Sequence, residues 1–303
     1  MTSVRSLRVG TRGSILARAQ TELALQALRA AYPALALMPV EITTHGDRDR
    51  RSPLAAIGGA GVFVKELESA LLDRRIDIAV HSLKDMPSTL TPGLAIAAVL
   101  PRGDARDALV SRTGATLAEL PPGACVGTGS NRRRAELRVL RPDLRFVELR
   151  GNVDTRIRRV REGVVDAAVL AVAGLERLGR LHEAAQIFST EELLPAVGQA
   201  AIAVEARADD AETLRLLAAI DDPATRLCVS AERAFLRCLG SGCTIPAAAH
   251  ATLGQEGLQL RALLVADNGT PLRGELRGAP DDAEALGAAL AEQLLVAAAN
   301  ARR

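Results

Sequence analysis

Aromatic residues make up only 2% of this 303-residue chain, lysine is confined to Lys65 and Lys84, and the net charge is only +2. So few aromatics leave little with which to stack the bases of a single-stranded nucleic acid. The near-neutral balance likewise supplies no sequence-independent attraction to a phosphate backbone. No stretch approaches the roughly 18 uninterrupted apolar residues of a membrane-spanning helix, and residues 1–9 lack an apolar run of signal-peptide length. A cytoplasmic protein is expected, with neither nucleic acid nor membrane as partner. Four cysteines in such a chain read as free thiols rather than a disulfide framework. Cys238, Cys243 and His250 fit no common zinc spacing, so no metal is expected. A Walker-type loop is also missing, because Gly58-Gly59-Ala60-Gly61 has no Lys-Ser/Thr pair after it, and no dinucleotide fingerprint follows a strand.

What the chain does have is 48% hydrophobic residues, enough for two or three cores, and a cationic complement that is almost all arginine. Short β-rich runs alternate with helical patterns through the first two-thirds, which predicts βαβ units and largely parallel sheets. Strands are expected at 7–10, 40–44, 76–80, 125–128, 145–149, 167–172 and 201–206, and helices at 14–32, 62–73, 131–140 and 153–161. Asp77-Ile78-Ala79-Val80 resembles Asp166-Ala167-Ala168-Val169, so two lobes of similar topology are inferred. Residues 1–100 with 200–218 form the first lobe and 105–194 the second, the return crossing making a hinge. From Pro223 the pattern changes to a long helix, a hairpin with Asp267-Asn268-Gly269 at its tip and a final helix over 282–299. Residues 222–303 are therefore read as a small α+β domain.

Three strand-to-helix turns carry anion-binding chemistry. Arg12 and Ser14 occupy the first, Thr128, Ser130, Arg132 and Arg133 the second, and Arg150, Asn152 and Arg156 the third. In each, backbone N–H groups, a helix dipole and a guanidinium can converge on one anion, and ligands of open α/β sheets bind at strand C-termini. Arginine forks suit carboxylates as well as phosphates, so both remain open. In His81-Ser82-Leu83-Lys84-Asp85-Met86-Pro87, Lys84 and Asp85 follow a buried strand; one can hold a carboxylate and the other a ligand N–H or developing cation. Cys243 lies in Gly240-Ser241-Gly242-Cys243-Thr244-Ile245-Pro246, between an apolar helix and a proline stop, a place that presents a thiol for attachment.

These residues resemble the porphobilinogen deaminase (hydroxymethylbilane synthase) family. The resemblance rests on Thr11-Arg12-Gly13-Ser14, Phe63-Val64-Lys65-Glu66-Leu67-Glu68, the His81 to Pro87 stretch, Arg150-Gly151-Asn152-Val153, Leu170-Ala171-Val172-Ala173-Gly174-Leu175 and Gly242-Cys243. It implies a monomeric cytoplasmic transferase of three domains, with its active site between the first two and a dipyrromethane cofactor joined by a thioether to Cys243. Four porphobilinogen molecules would be deaminated, coupled head to tail and released by water as the linear tetrapyrrole. Each pyrrole carries an acetate and a propionate, which would supply the carboxylates.

By the same resemblance Asp85 contacts pyrrole nitrogens and stabilises azafulvene-like intermediates. Arg12, Ser14, Lys84, Thr128, Ser130, Arg132, Arg133, Arg150 and Arg156 bind carboxylates, Phe63 lies against the pyrroles, and Arg102 and Arg177 are weaker candidates. The chain departs from the family pattern at Ala60, where lysine is usual, at Gly129, where serine is usual, and at Ala200, where glycine is common. Arg48, Arg50 and Arg51 stand near enough in sequence to replace the charge missing at Ala60. The competing reading is a non-catalytic anion-binding protein, since two hinged doubly wound lobes are also periplasmic-binding-protein-like.

Overall fold

The computed structural model describes residues 6–44, 63–240, 246–266 and 269–300. These fall into two compact units, Met1–Arg102 with Ala201–Arg226 and Gly103–Ala200 with Leu227–Arg303.

In the first unit, strands β1 (Ser6–Thr11), β2 (Ala36–Glu41), β3 (Ile78–Ser82), β4 (Leu94–Val99) and β10 (Ile202–Arg207) form one sheet in the order β2-β1-β3-β10-β4. Strand β1 pairs in parallel with β2 and β3, whereas β10 runs antiparallel to both its neighbours. Alternation along β3 explains the two-sided core. Ile78 and Val80 pack with Leu25 and Leu28 of helix α1 (Ile15–Ala31), while Ala79 packs with Leu67 and Leu71 of helix α2 (Lys65–Leu72). The strand expected over 40–44 instead occupies Ala36–Glu41, because the short connection after α1 leads directly into pairing with β1.

The second unit repeats this plan. Strands β5 (Asp107–Ser111), β6 (Cys125–Gly127), β7 (Arg145–Val147), β8 (Ala167–Ala171) and β9 (Gln186–Ile187) are ordered β7-β6-β8-β5-β9. Strand β5 is antiparallel to β8 and β9, and the β6 pairings are parallel. Helix α3 (Asn131–Leu140) supplies Leu137 to one face, and α4 (Val153–Arg161) supplies Ile157 and Val160 to the other. Among the described strands, each sheet thus has four running one way and one against them, in the same relative place, a duplicated doubly wound α/β architecture.

The same unit contains the antiparallel sheet β11 (Ala247–Gly254), β12 (Gly257–Val265) and β13 (Pro271–Gly278), with helix α8 (Ala283–Asn300) and, from Leu227 onward, helix α7 (Pro223–Cys238). Helix α6 (Ala211–Ala218) precedes α7 and belongs to the first unit, and α5 (Val172–Arg177) follows β8 directly. Phe235 is fully buried among Leu260, Leu290 and Leu294. At Gly287 a Cβ would stand 2.2 Å from the Ala231 carbonyl oxygen, so only glycine lets α8 approach α7 this closely.

Candidate active site

At the C-terminal edge of the first sheet, β1 and β3 end side by side, since Val9 and Gly10 pair with Ile78 and Ala79. Ser14 caps α1, its Oγ accepting from the Ala17 amide at 3.2 Å. From the buried side of the same helix, the Gln20 amide nitrogen donates to Ser82 Oγ at 2.8 Å, which ties α1 to the end of β3. Beyond Ser82 comes one 3-10 turn, Leu83–Asp85, anchored by the Leu83 amide donating to the Ala201 carbonyl at 3.0 Å. Burial of Leu83 turns its neighbours outward, leaving Lys84 exposed and Asp85 half-buried. The half-buried Arg12 guanidinium lies 4.1 Å from the centre of the Phe63 ring, a cation–π contact joining two of the residues singled out from sequence. Beneath the turn, His81 and Glu205 are bonded at 3.0 Å in the interior, and burial pushes the nearby Glu68 carboxyl up.

The second unit presents two more turns of this kind, adjacent because Gly127 pairs with Val147. Thr128 is buried, and its Oγ1 accepts from the Ser130 amide at 3.1 Å. Ser130 in turn caps α3. Next to it, Asn152 caps α4 by accepting from the Thr155 amide at 2.9 Å, and Arg156 Nε donates to the Gly151 carbonyl at 2.8 Å. Gly151 adopts φ +111, and a Cβ there would meet Thr155 Cγ2 at 2.7 Å. The turn therefore depends on glycine twice over. Arg150 is half-buried, and its buried Nη1 has no hydrogen-bond partner among the described residues. A buried, unsatisfied guanidinium nitrogen beside two capped helix starts is a place for an anionic oxygen.

Arg132 and Arg133 sit elsewhere than the sequence suggested. Only 5% and 6% exposed, they point into the unit and close on Asp107, which is 0% exposed at the start of β5. Asp107 accepts from Arg132 Nη2 at 2.7 Å, from Arg133 Nε and Nη2 at 3.2 and 2.7 Å, and from the Gln199 side chain at 2.9 Å. Arg132 also donates to Glu136 and the Leu194 carbonyl, and Arg133 to the Val169 carbonyl. Burial alone would raise the Asp107 carboxyl, but the charges and hydrogen bonds of Arg133 and Arg132 prevail and hold it well below the usual carboxylate range. Sequence reasoning missed Asp107, Glu136 and Gln20. For the first the available signal was an acidic residue opening an otherwise apolar strand, for the last a polar residue on the inward face of α1.

Of the weaker candidates, Arg102 donates its amide to Thr225 Oγ1, and Arg177 donates to the Ala200 carbonyl at 2.5 Å, burial lowering its proton affinity. Cys243, the Gly58 to Gly61 loop with Ala60, and Arg48, Arg50 and Arg51 lie outside the described residues.

The family model described as "Porphobilinogen deaminase, dipyromethane cofactor binding domain" matches residues 7–215. The chain belongs to the porphobilinogen deaminase family. A second model, "Porphobilinogen deaminase, C-terminal domain", matches residues 226–296. A porphobilinogen deaminase of Roseiflexus sp. (strain RS-1) is 52% identical over 291 residues, covering 96% of each chain. That of Roseiflexus castenholzii is 51% identical over 98% of each chain, and that of Acidothermus cellulolyticus 50% identical over 97% of this chain and 90% of its own. Dipyrromethane is the cofactor of the matched family domain. Its carboxylates suit the turns described above, which carry the Ser130 and Asn152 caps and an Arg150 Nη1 that has no hydrogen-bond partner among the described residues. No described helix is long and apolar enough to cross a membrane.

Proposed function

We propose that this chain is a transferase that deaminates four porphobilinogen molecules in turn, condenses them head to tail onto a dipyrromethane held through Cys243, and releases the linear tetrapyrrole by hydrolysis. The observation that carries the reading is the buried Nη1 of Arg150, without a hydrogen-bond partner among the described residues, on a turn next to a capped helix N-terminus in a chain of this family. The dipyrromethane, when bound, supplies the pyrrole carbon to which the first substrate is joined. Arg150, Arg156, Thr128 and Ser130 bind carboxylates in the second unit, and Arg12, Ser14 and Lys84 do so in the first. Charge-assisted bonds of this sort fix orientation as well as affinity. Phe63 offers an apolar face to a pyrrole, with Arg12 against its ring. The Asp85 carboxylate accepts a hydrogen bond from a pyrrole N–H and offsets the positive charge that develops there as ammonia departs. Arg132 and Arg133 support this chemistry from behind, by holding α3 and its Ser130 cap on Asp107.

The test is the intact mass of the purified chain beside Cys243→Ser. Wild type is expected to carry two linked pyrrole units and the variant none; a bare wild-type chain from cells able to make porphobilinogen overturns the reading. Asp85→Ala is expected to fold and lose turnover, and full turnover in that variant removes the role given to Asp85.

A further inference from the structure

Glu232 is a buried glutamate with 0% exposure, lying two turns before the end of α7. Its carboxylate satisfies two backbone amides that come from different parts of the second unit. One is Ala251 on β11 at 2.8 Å, and the other is Gly198, in the connection before β10, at 2.7 Å. The segment carrying Cys243 leaves α7 after Cys238 and enters β11 at Ala247. Glu232 therefore joins the element on one side of that segment to the element on the other.

The bond to Gly198 extends the connection further. The next residue, Gln199, is 1% exposed and donates through its side chain to Asp107 at 2.9 Å and to the Ala105 carbonyl at 2.7 Å. Asp107 in turn holds Arg132 and Arg133, in the first turn of the helix that Ser130 caps. A continuous buried polar chain thus runs from Ala251 through Glu232, Gly198, Gln199 and Asp107 to the Thr128–Ser130 turn. Hydrophobic packing alone would leave such a docking free to slide. Directional bonds to a charged group in the interior fix one arrangement, because any other leaves a buried charge or amide unsatisfied.

We propose that Glu232 and Gln199 are positioning residues for the reaction, a buried spine that fixes the base of the Cys243 segment relative to the carboxylate-binding turn at Thr128–Ser130. This rests on the reading of Cys243 as the attachment point. Neither residue touches the reacting atoms; each acts through the frame, and a displacement of about 1 Å in such a frame can cost on the order of a hundredfold in rate.

The experiment compares the full chain with Glu232→Gln, Gln199→Met and the double variant. Intact mass is expected to show the cofactor on all four. Each single variant is expected to lose ten- to hundredfold in kcat with KM changed less than about threefold, the split expected when bound groups are held out of line for reaction rather than bound more weakly. Hydrogen exchange at the Gly198 and Ala251 amides is expected to quicken about tenfold or more in Glu232→Gln. If the two residues act as one spine, the double variant is no slower than the worse single one. Unchanged kcat in both single variants of a loaded, active enzyme, or losses that multiply in the double variant, overturns the proposal. A wild-type chain without cofactor mass overturns the attachment reading instead, and amide exchange then judges the spine by itself. Should Glu232→Gln not fold, Gln199→Met decides by the kcat criterion, since it leaves both Glu232 bonds in place.

Discussion

Replacing Asp107 by asparagine removes one charge and almost no volume, so it isolates what the carboxylate does for Arg132 and Arg133. Both guanidiniums are buried, and the carboxylates bonded to Arg132 are Asp107 and Glu136, whereas Arg133 has Asp107. Without the Asp107 charge, Arg133 is left as an uncompensated cation in the interior, and the new amide NH2 faces its donors. Breaking one side of a buried pair costs about 3–5 kcal/mol. At about 2–4 °C per kcal/mol for a unit of this size, the melting transition is expected to fall by about 10 °C. Circular dichroism at 222 nm is the assay, since the chain has no tryptophan and one tyrosine. Because the folded Asp107 carboxyl is depressed, its contribution is complete above the unfolded value near about 4 and fades as pH falls toward the folded one. The gap between wild type and variant is therefore flat from neutral pH down to about 5 and narrows below about 4. A midpoint displaced by less than about 2 °C at neutral pH would refute the reasoning, since it would mean that water or rearrangement already relieves the buried cation.

Ala200 sits at φ +71 and packs with Ala105 and Ala173. In Ala200→Gly, relief of about 1–2 kcal/mol of left-handed strain meets the loss of a buried methyl, about 0.8 kcal/mol, and the added freedom of unfolded glycine. Stability should therefore change by less than about 1 kcal/mol, whereas Ala173→Gly, in α5, should lose about 2 kcal/mol; urea midpoints compare the two. Gly151→Ala should cost about 2 kcal/mol through the +111 φ and the contact with Thr155, and a wild-type melting curve would contradict it. Arg150→Leu should raise KM for porphobilinogen or lower cofactor occupancy at least tenfold while leaving the melting temperature within about 2 °C, because Nη1 of Arg150 has no hydrogen-bond partner to lose among the described residues; steady-state kinetics and intact mass decide.

Local signals made much of this fold legible. Ser14 before an amphipathic run gave the start of α1, observed at Ile15–Ala31 with Ser14 as its cap. The helices expected over 131–140 and 153–161 stand at Asn131–Leu140 and Val153–Arg161, each capped by the polar residue before it. β4, β5 and β9 escaped notice because they join their sheets through β10, β8 and β5 respectively, partners distant in sequence. Arg132 and Arg133 show the deeper limit. An Arg-rich helix start reads as a ligand-facing surface, and only the long-range meeting with Asp107 reveals that these two cations face inward. The capped turns that follow β1, β6 and β7 were visible because cap and strand end adjoin in sequence, whereas the bonds of Glu232 and Gln199 join residues that no spacing rule connects.

The strand order has a consequence for synthesis. In the first sheet, β10 lies between β3 and β4 and closes the hydrogen bonds of both, yet it is encoded after the whole of the second lobe. The second sheet needs nothing later than β9, which ends at Ile187. A chain leaving the ribosome therefore completes its second-encoded sheet first, while β3 and β4 wait with open edges until residues 202–207 emerge. For that interval the nascent first lobe is the part in need of protection, since unpaired strand edges are what invite aggregation.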